Sequence, residues 1–167
     1  VEGFYTYLRD AFFLQPLGED EFGEVFEKQN GDGATVQGVT VEFRASYDEK
    51  VQLDAGMTFQ TSRFDTPVQS SDVLEARRAF LRTPNEYGYG TLTYSPDERW
   101  NLAMNLTHTG PVLVLHLAGA PEQSEDEFVN SSAFTELGFR TSYTLSLKTL
   151  KTGLELFTGV KNLTNAY

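Results

Sequence analysis

The chain has 167 residues, 13 Lys and Arg against 24 Asp and Glu, a formal net charge of -11 and no cysteine. That length suffices for one domain with a sizeable core. The lack of cysteine excludes a disulfide scaffold, a thiolate zinc site and a cysteine nucleophile, and the negative balance argues against nucleic acid as a partner. No run approaches the ~18 apolar residues of a membrane helix, which leaves membrane strands open, since a strand crosses with about 9–11 residues of which every second one is apolar.

The chain starts inside a strand-like pattern, Val1-Glu2-Gly3-Phe4-Tyr5-Thr6, and stops as abruptly after Asn162-Leu163-Thr164-Asn165-Ala166-Tyr167. It reads as a single unit, 1–167, excised from something larger. Residues 18–27 are acidic (Glu19, Asp20, Glu21, Glu24) and predict a solubilising loop tip. Clustered carboxylates suit hard cations, but no calcium-loop spacing is present. Residues 35–47 turn through Asp48-Glu49-Lys50 into residues 51–64. In both, side chains alternate with a period of two. Val39, Val41, Phe43, Ala45 and Tyr47 share one face, with Thr40, Glu42, Arg44 and Ser46 opposite; Val51, Leu53, Ala55, Met57 and Phe59 oppose Gln52, Asp54, Gly56, Thr58 and Gln60.

A long polar segment follows, up to about Glu86. Within it Asp72 precedes Glu75 by three residues, Val73, Leu74, Arg77, Phe80 and Leu81 share a helical face, and Pro84 is a stop. The pattern predicts a short helix over 71–82. Its Arg77, Arg78 and Arg82 are candidates for holding an anionic ligand. Residues 87–94 turn through Ser95-Pro96-Asp97-Glu98-Arg99 into residues 100–109, where Trp100, Leu102, Met104 and Leu106 oppose Asn101, Ala103, Asn105 and Thr107. His108 falls on the apolar parity, and His116, after Pro111 and an apolar run, is a loop-side ligand candidate. A second long polar segment, acidic over 121–127, ends near Ser132. Residues 134–147 then turn through 148–152 into 153–163, with Leu137, Phe139, Tyr143, Leu145, Leu154, Leu156 and Val160 on the apolar parity.

Short and long connections thus alternate, the pattern of an all-β, antiparallel up-and-down meander. Two pictures produce such strands. In a soluble sandwich or small barrel the apolar face is a dry core of Phe43, Met57, Phe59, Leu102, Met104, Leu106, Phe139 and Leu145; such a domain would serve as a binding module, with carbohydrate one candidate. In a large transmembrane barrel the same face meets lipid. Isolated charges of both signs on the polar faces (Glu42, Arg44, Asp54, Arg140, Glu155, Lys161) favour the second picture as pore-lining or plug-contacting residues, and so do aromatic residues near the turns (Tyr47, Tyr94, Trp100). No catalytic, phosphate-binding or metal-binding motif occurs, so neither an enzyme nor a cofactor is expected.

Several short motifs resemble one family. Gly153-Leu-Glu-Leu-Phe-Thr-Gly-Val-Lys-Asn-Leu-Thr-Asn-Ala-Tyr167 is similar to the late-barrel signature of TonB-dependent outer-membrane receptors, in which a strand ends in an Asn-Leu-x-Asn-x-x-Tyr-like motif. Phe4-Tyr5-Thr6-x-Leu8 and Gly38-Val39-Thr40-Val41-Glu42 resemble earlier strands of that family. Arg82-Thr-Pro84-Asn85-x-Tyr87-Gly88-Tyr89, Tyr94-x-Pro96 and Thr109-Gly110-Pro111 resemble its Bacteroidetes branch, among ferric-siderophore-receptor-like members. The resemblance implies a location in the bacterial outer membrane, a barrel of about 22 strands closed around an N-terminal plug, and TonB-driven uptake of a scarce nutrient such as siderophore-iron, haem or cobalamin. This chain would be an incomplete, C-terminal segment of that barrel. Its partners would be outer-membrane lipid and the plug, with TonB engaged only through parts outside the chain and the ligand left unnamed.

Overall fold

A computed structural model describes residues 1–119, 123–147 and 152–166. The described residues form twelve strands: β1 (Glu2–Arg9), β2 (Phe12–Asp20), β3 (Gly23–Asn30), β4 (Gly33–Tyr47), β5 (Val51–Val68), β6 (Arg77–Ala79), β7 (Glu86–Tyr94), β8 (Trp100–Thr109), β9 (Leu113–His116), β10 (Glu127–Asn130), β11 (Phe134–Leu147) and β12 (Thr152–Val160). The main sheet runs β1-β4-β5-β7-β8-β11-β12, antiparallel throughout, with β6 appended to β5. β2–β3 and β9–β10 are separate two-stranded hairpins. Among the described residues the sheet is open: β1 pairs only with β4, and β12 only with β11.

One edge of the sheet carries tight turns. Asp48 and Glu49 both take positive φ, 50° and 53°, the conformation of a type I′ turn, whose twist matches that of the flanking strands. In the next turn the Asp97 carboxylate accepts from the backbone N–H of Arg99 at 2.8 Å and of Trp100 at 3.0 Å, so the side chain substitutes for missing ladder partners. The backbone N–H of Ser95 donates to the Lys50 carbonyl at 2.7 Å and ties the two turns together. The turn expected over 148–152 lies outside the described residues except for Thr152. The opposite, loop edge carries the long connections. There the Asn-Leu-Thr-Asn motif closes β12: Asn162 and Asn165 take positive φ, the Asn162 side chain accepts from Ala166 N–H at 2.8 Å, and Leu163 N–H donates to the Leu137 carbonyl at 2.8 Å.

The register places the predicted apolar parities on one face without a break. A single rung reads Phe43, Ala55, Gly90, Leu106, Leu137; the next reads Ala45, Leu53, Leu92, Met104, Phe139, Val160. No second layer covers this face among the described residues: Phe43 is 58% exposed, Phe59 51% and Met104 44%. Among the described residues Ala34 is the one buried hydrophobic, whereas Thr58, Ser62, Ser71 and Ser142 are buried polar ones. The sheet is therefore inverted relative to a water-soluble layer, with small polar side chains covered and large apolar ones bare. Eight residues separate Val39 from Tyr47, roughly 27 Å along the strand, or about 20 Å across a bilayer at a 35–45° tilt, close to the ~25 Å apolar band of membrane barrels. Rings flank the belt at the turn edge, where Trp100 and Tyr143 pack with centroids 4.7 Å apart. At the loop edge the same face ends in a polar cluster: His108 Nδ1 lies 2.8 Å from Thr135 Oγ1, and its Nε2 lies 4.0 Å from Glu86.

The helix expected over 71–82 does not form. That segment runs irregularly into β6, with Val68 opposite Arg77. Tertiary contacts outweigh its helical spacing: Phe80 packs on Phe64 with centroids 4.3 Å apart, Phe80 N–H donates to the Ser62 carbonyl at 3.3 Å, and Arg82 takes a left-handed φ of 56°. The acidic tip expected over 18–27 belongs to a longer arm, the β2–β3 hairpin, which extends the β1–β4 pairing past the sheet.

Candidate functional site

The interior candidates share the polar face in two groups. Arg44 and Asp54 are direct cross-strand partners, and the Arg44 guanidinium donates to the Asp54 carboxylate. One rung away, Glu42, Gly56 and Tyr89 lie in line. A Cβ on Gly56 would sit 2.6 Å from the Tyr89 ring; the missing side chain lets that ring cross β5, and its hydroxyl donates to Glu42 at 3.3 Å. On β11 and β12, the Arg140 guanidinium lies 5.0 Å from the centre of the Phe157 ring. Glu155 is the cross-strand partner of Thr144. Lys161 stands just past β12, at the mouth of a groove of about 520 Å³ that Asn105, Thr107, Glu136, Arg140 and Phe157 also line. The charges alternate in sign, so the face offers paired contacts to a polar surface and no single anion or cation site.

The second region lies at the loop edge, where three connections converge. Asp126, just before β10, accepts from the Ser71 hydroxyl and, at 2.8 Å, from the Ala118 N–H. The Arg77 guanidinium on β6 stacks 4.6 Å from the Phe128 ring of β10, and Arg82 N–H donates to the Leu113 carbonyl at 2.8 Å. Between these segments and the β2–β3 arm is a cavity of about 590 Å³ lined mainly by phenylalanine and aliphatic side chains. Arg77 and Arg82 line it. Arg78 and His116, expected as ligand contacts, do not; His116 is exposed and sits opposite Glu127 in the β9–β10 pair. The apolar members, Phe12, Phe13, Phe64, Phe80 and Leu115, were not among the expected site residues. Their signal was present as apolar doublets, Phe12-Phe13 and Phe80-Leu81, inside otherwise polar segments.

Hydrogen bonds from Ser71 and then from the Ala118 backbone hold the Asp126 carboxyl below its ordinary value of 3.8. A depressed carboxyl stabilises the folded contact fully above the unfolded value and loses that stabilisation as pH falls through the lower folded value. Docking of the 69–76 segment on the β9–β10 hairpin is therefore expected to be constant from pH 7 to about 5 and to loosen below about 4. Spin labels on Val73 and Ser124 would report this as a distance distribution that broadens in acid. Asp126→Asn is expected to flatten the pH dependence, and a distance unchanged down to pH 2 would contradict the assignment.

Among the described residues no group of three His, Asp or Glu side chains converges as a metal site. The described residues offer an exposed apolar sheet face, a charge-alternating opposite face, and an apolar loop cavity with two guanidinium groups. No protein-family model matches the chain, and no curated protein matches it.

Proposed function

We propose that this chain is a wall segment of a TonB-dependent outer-membrane receptor, with the apolar face against lipid, the polar face towards the plug and passage, and the loop edge towards the outside of the cell. The observation that carries the reading is the bare apolar belt continuous from β4 to β12. An exposed apolar surface of this extent is unfavourable in water, where large patches on monomers rarely exceed a few hundred Å², and is favourable in hydrocarbon. The choice of receptor family draws on the Asn-Leu-Thr-Asn ending and the other motifs named above, and uptake of a scarce nutrient follows from that family. The open edges at β1 and β12 are where further barrel strands would pair, because hydrocarbon leaves no water to satisfy a bare edge.

The test is accessibility at neighbouring positions of opposite parity. In the full-length receptor in outer-membrane vesicles, single cysteines at Arg44 and Arg140 are expected to react with a water-soluble maleimide. Cysteines at Phe43 and Phe139 are expected to react with a lipid-phase reagent instead. The reverse pattern would overturn the face assignment and the reading with it.

A further inference from the structure

The loop-edge cavity, at about 590 Å³, falls within the ~300–1,000 Å³ range of small-molecule sites. Five phenylalanines line it: Phe12, Phe13, Phe26, Phe64 and Phe80. The chain carries 24 acidic side chains to 13 basic ones, yet among the described residues the charged members of this lining are Arg77 and Arg82, with no carboxylate. Neither arginine forms a salt bridge among the described residues. The Arg77 guanidinium rests on Phe128, and the Arg82 backbone N–H is bonded to the Leu113 carbonyl. Among the described residues Ser70 is the one uncharged polar member of the lining, too few hydrogen-bonding groups to recognise a neutral sugar.

We propose that this cavity binds an organic anion with a flat apolar body, the body lying among the phenylalanines and its carboxylate pairing with Arg77 and Arg82. A guanidinium presents a planar fork that matches a carboxylate with two parallel hydrogen bonds. Arg77, Arg82 and Phe12 are exposed, and a bound apolar body would shield the pair from water and so strengthen it. The proposal deepens the receptor reading by naming a ligand class, and rests on it only for the side from which the ligand arrives.

The probe pair is 2-naphthoate and its neutral amide, 2-naphthamide, which share one ring system and differ in charge. Each is titrated calorimetrically against the full-length protein in lipid nanodiscs, with the heat of empty discs subtracted. Naphthoate is expected to bind at least ten times more tightly than naphthamide. The double variant Arg77→Gln/Arg82→Gln is expected to abolish that preference and leave naphthamide binding unchanged, which also reports that the cavity has kept its shape. Arg78→Gln, one residue away but outside the lining, is expected to alter neither. No naphthoate binding, equal affinity for acid and amide, or a preference that survives the double variant would each overturn the proposal. Those outcomes leave the lipid-facing assignment standing, whereas a reversed labelling pattern at positions 43, 44, 139 and 140 removes the receptor reading and leaves the naphthoate result intact.

Discussion

If the chain is the lipid-facing wall proposed above, replacing Leu106 by lysine is expected to destabilise the folded protein in a bilayer by about 2–4 kcal/mol, the cost of a cationic side chain at the midplane on the outer face of a barrel. Leu106 lies in the rung Phe43, Ala55, Gly90, Leu106, Leu137, near mid-height of the belt. Its neighbour Asn105 points to the other face, where its side-chain oxygen accepts from Thr91 at 3.3 Å. Asn105→Lys is therefore expected to change stability by less than about 1 kcal/mol, since a charge there stays in water or beside polar groups. The two variants differ by one position and by which solvent they meet. Urea titrations of protein folded into lipid vesicles would measure both, and equal losses would remove the argument from parity. A soluble sandwich would also penalise Leu106→Lys, but its loss would appear without any lipid; the lipid-dependent difference carries the test.

The second large effect is expected at Gly33, the first residue of β4. Its φ of 151° is one that L side chains rarely adopt, and a Cβ there would lie 2.5 Å from the Tyr7 hydroxyl and 2.7 Å from the Asp65 carboxylate. Those two groups are hydrogen-bonded to each other at 2.9 Å and join β1 to β5 across the root of the β2–β3 arm. Gly33→Val adds backbone strain of about 1–2 kcal/mol to overpacking of about 1–3 kcal/mol, so a loss of roughly 2–5 kcal/mol is expected, with early exposure of the arm to protease. Gly153→Ala is the control. Its added methyl would meet neighbours no closer than 3.8 Å, in ordinary contact, and a change within about 0.5 kcal/mol is expected. A Gly33→Val protein as stable as the parent would show that the root of the arm relaxes freely.

What was legible in the sequence is what a period of two can carry. Trp100–Thr109 and Phe134–Leu147 appear with the limits that alternation assigns, because long strands with one polar and one apolar side constrain every position. β5 runs four residues past its expected end at Phe64, to Val68, since pairing with β6 holds it extended beyond the belt. The β2–β3 arm was not legible: its register shifts between Pro16 and Gly18, which breaks the alternation, and its acidic residues imitate a loop. The expected helix failed for the opposite reason. Its apolar residues fit a helical period, but they are spaced to reach Phe64 and the β9–β10 hairpin.

The loop cavity shows the same divide. Arg77 and Arg82 stood out as charges in a polar stretch, but Phe12 and Leu115 are about a hundred residues apart in the chain. Nothing local says that they share a wall. By itself the amino-acid order determined which side chains face together along each strand, and hence that one sheet face is apolar and the other mixed in charge, because pleating ties side-chain direction to position. Only the tertiary structure decided that no layer of described residues covers the apolar face, that Arg77 and Arg82 reach the cavity while Arg78 and His116 do not, and that three connections meet at one edge. Those outcomes depend on contacts between segments distant in sequence, and strand periodicity holds no information about them.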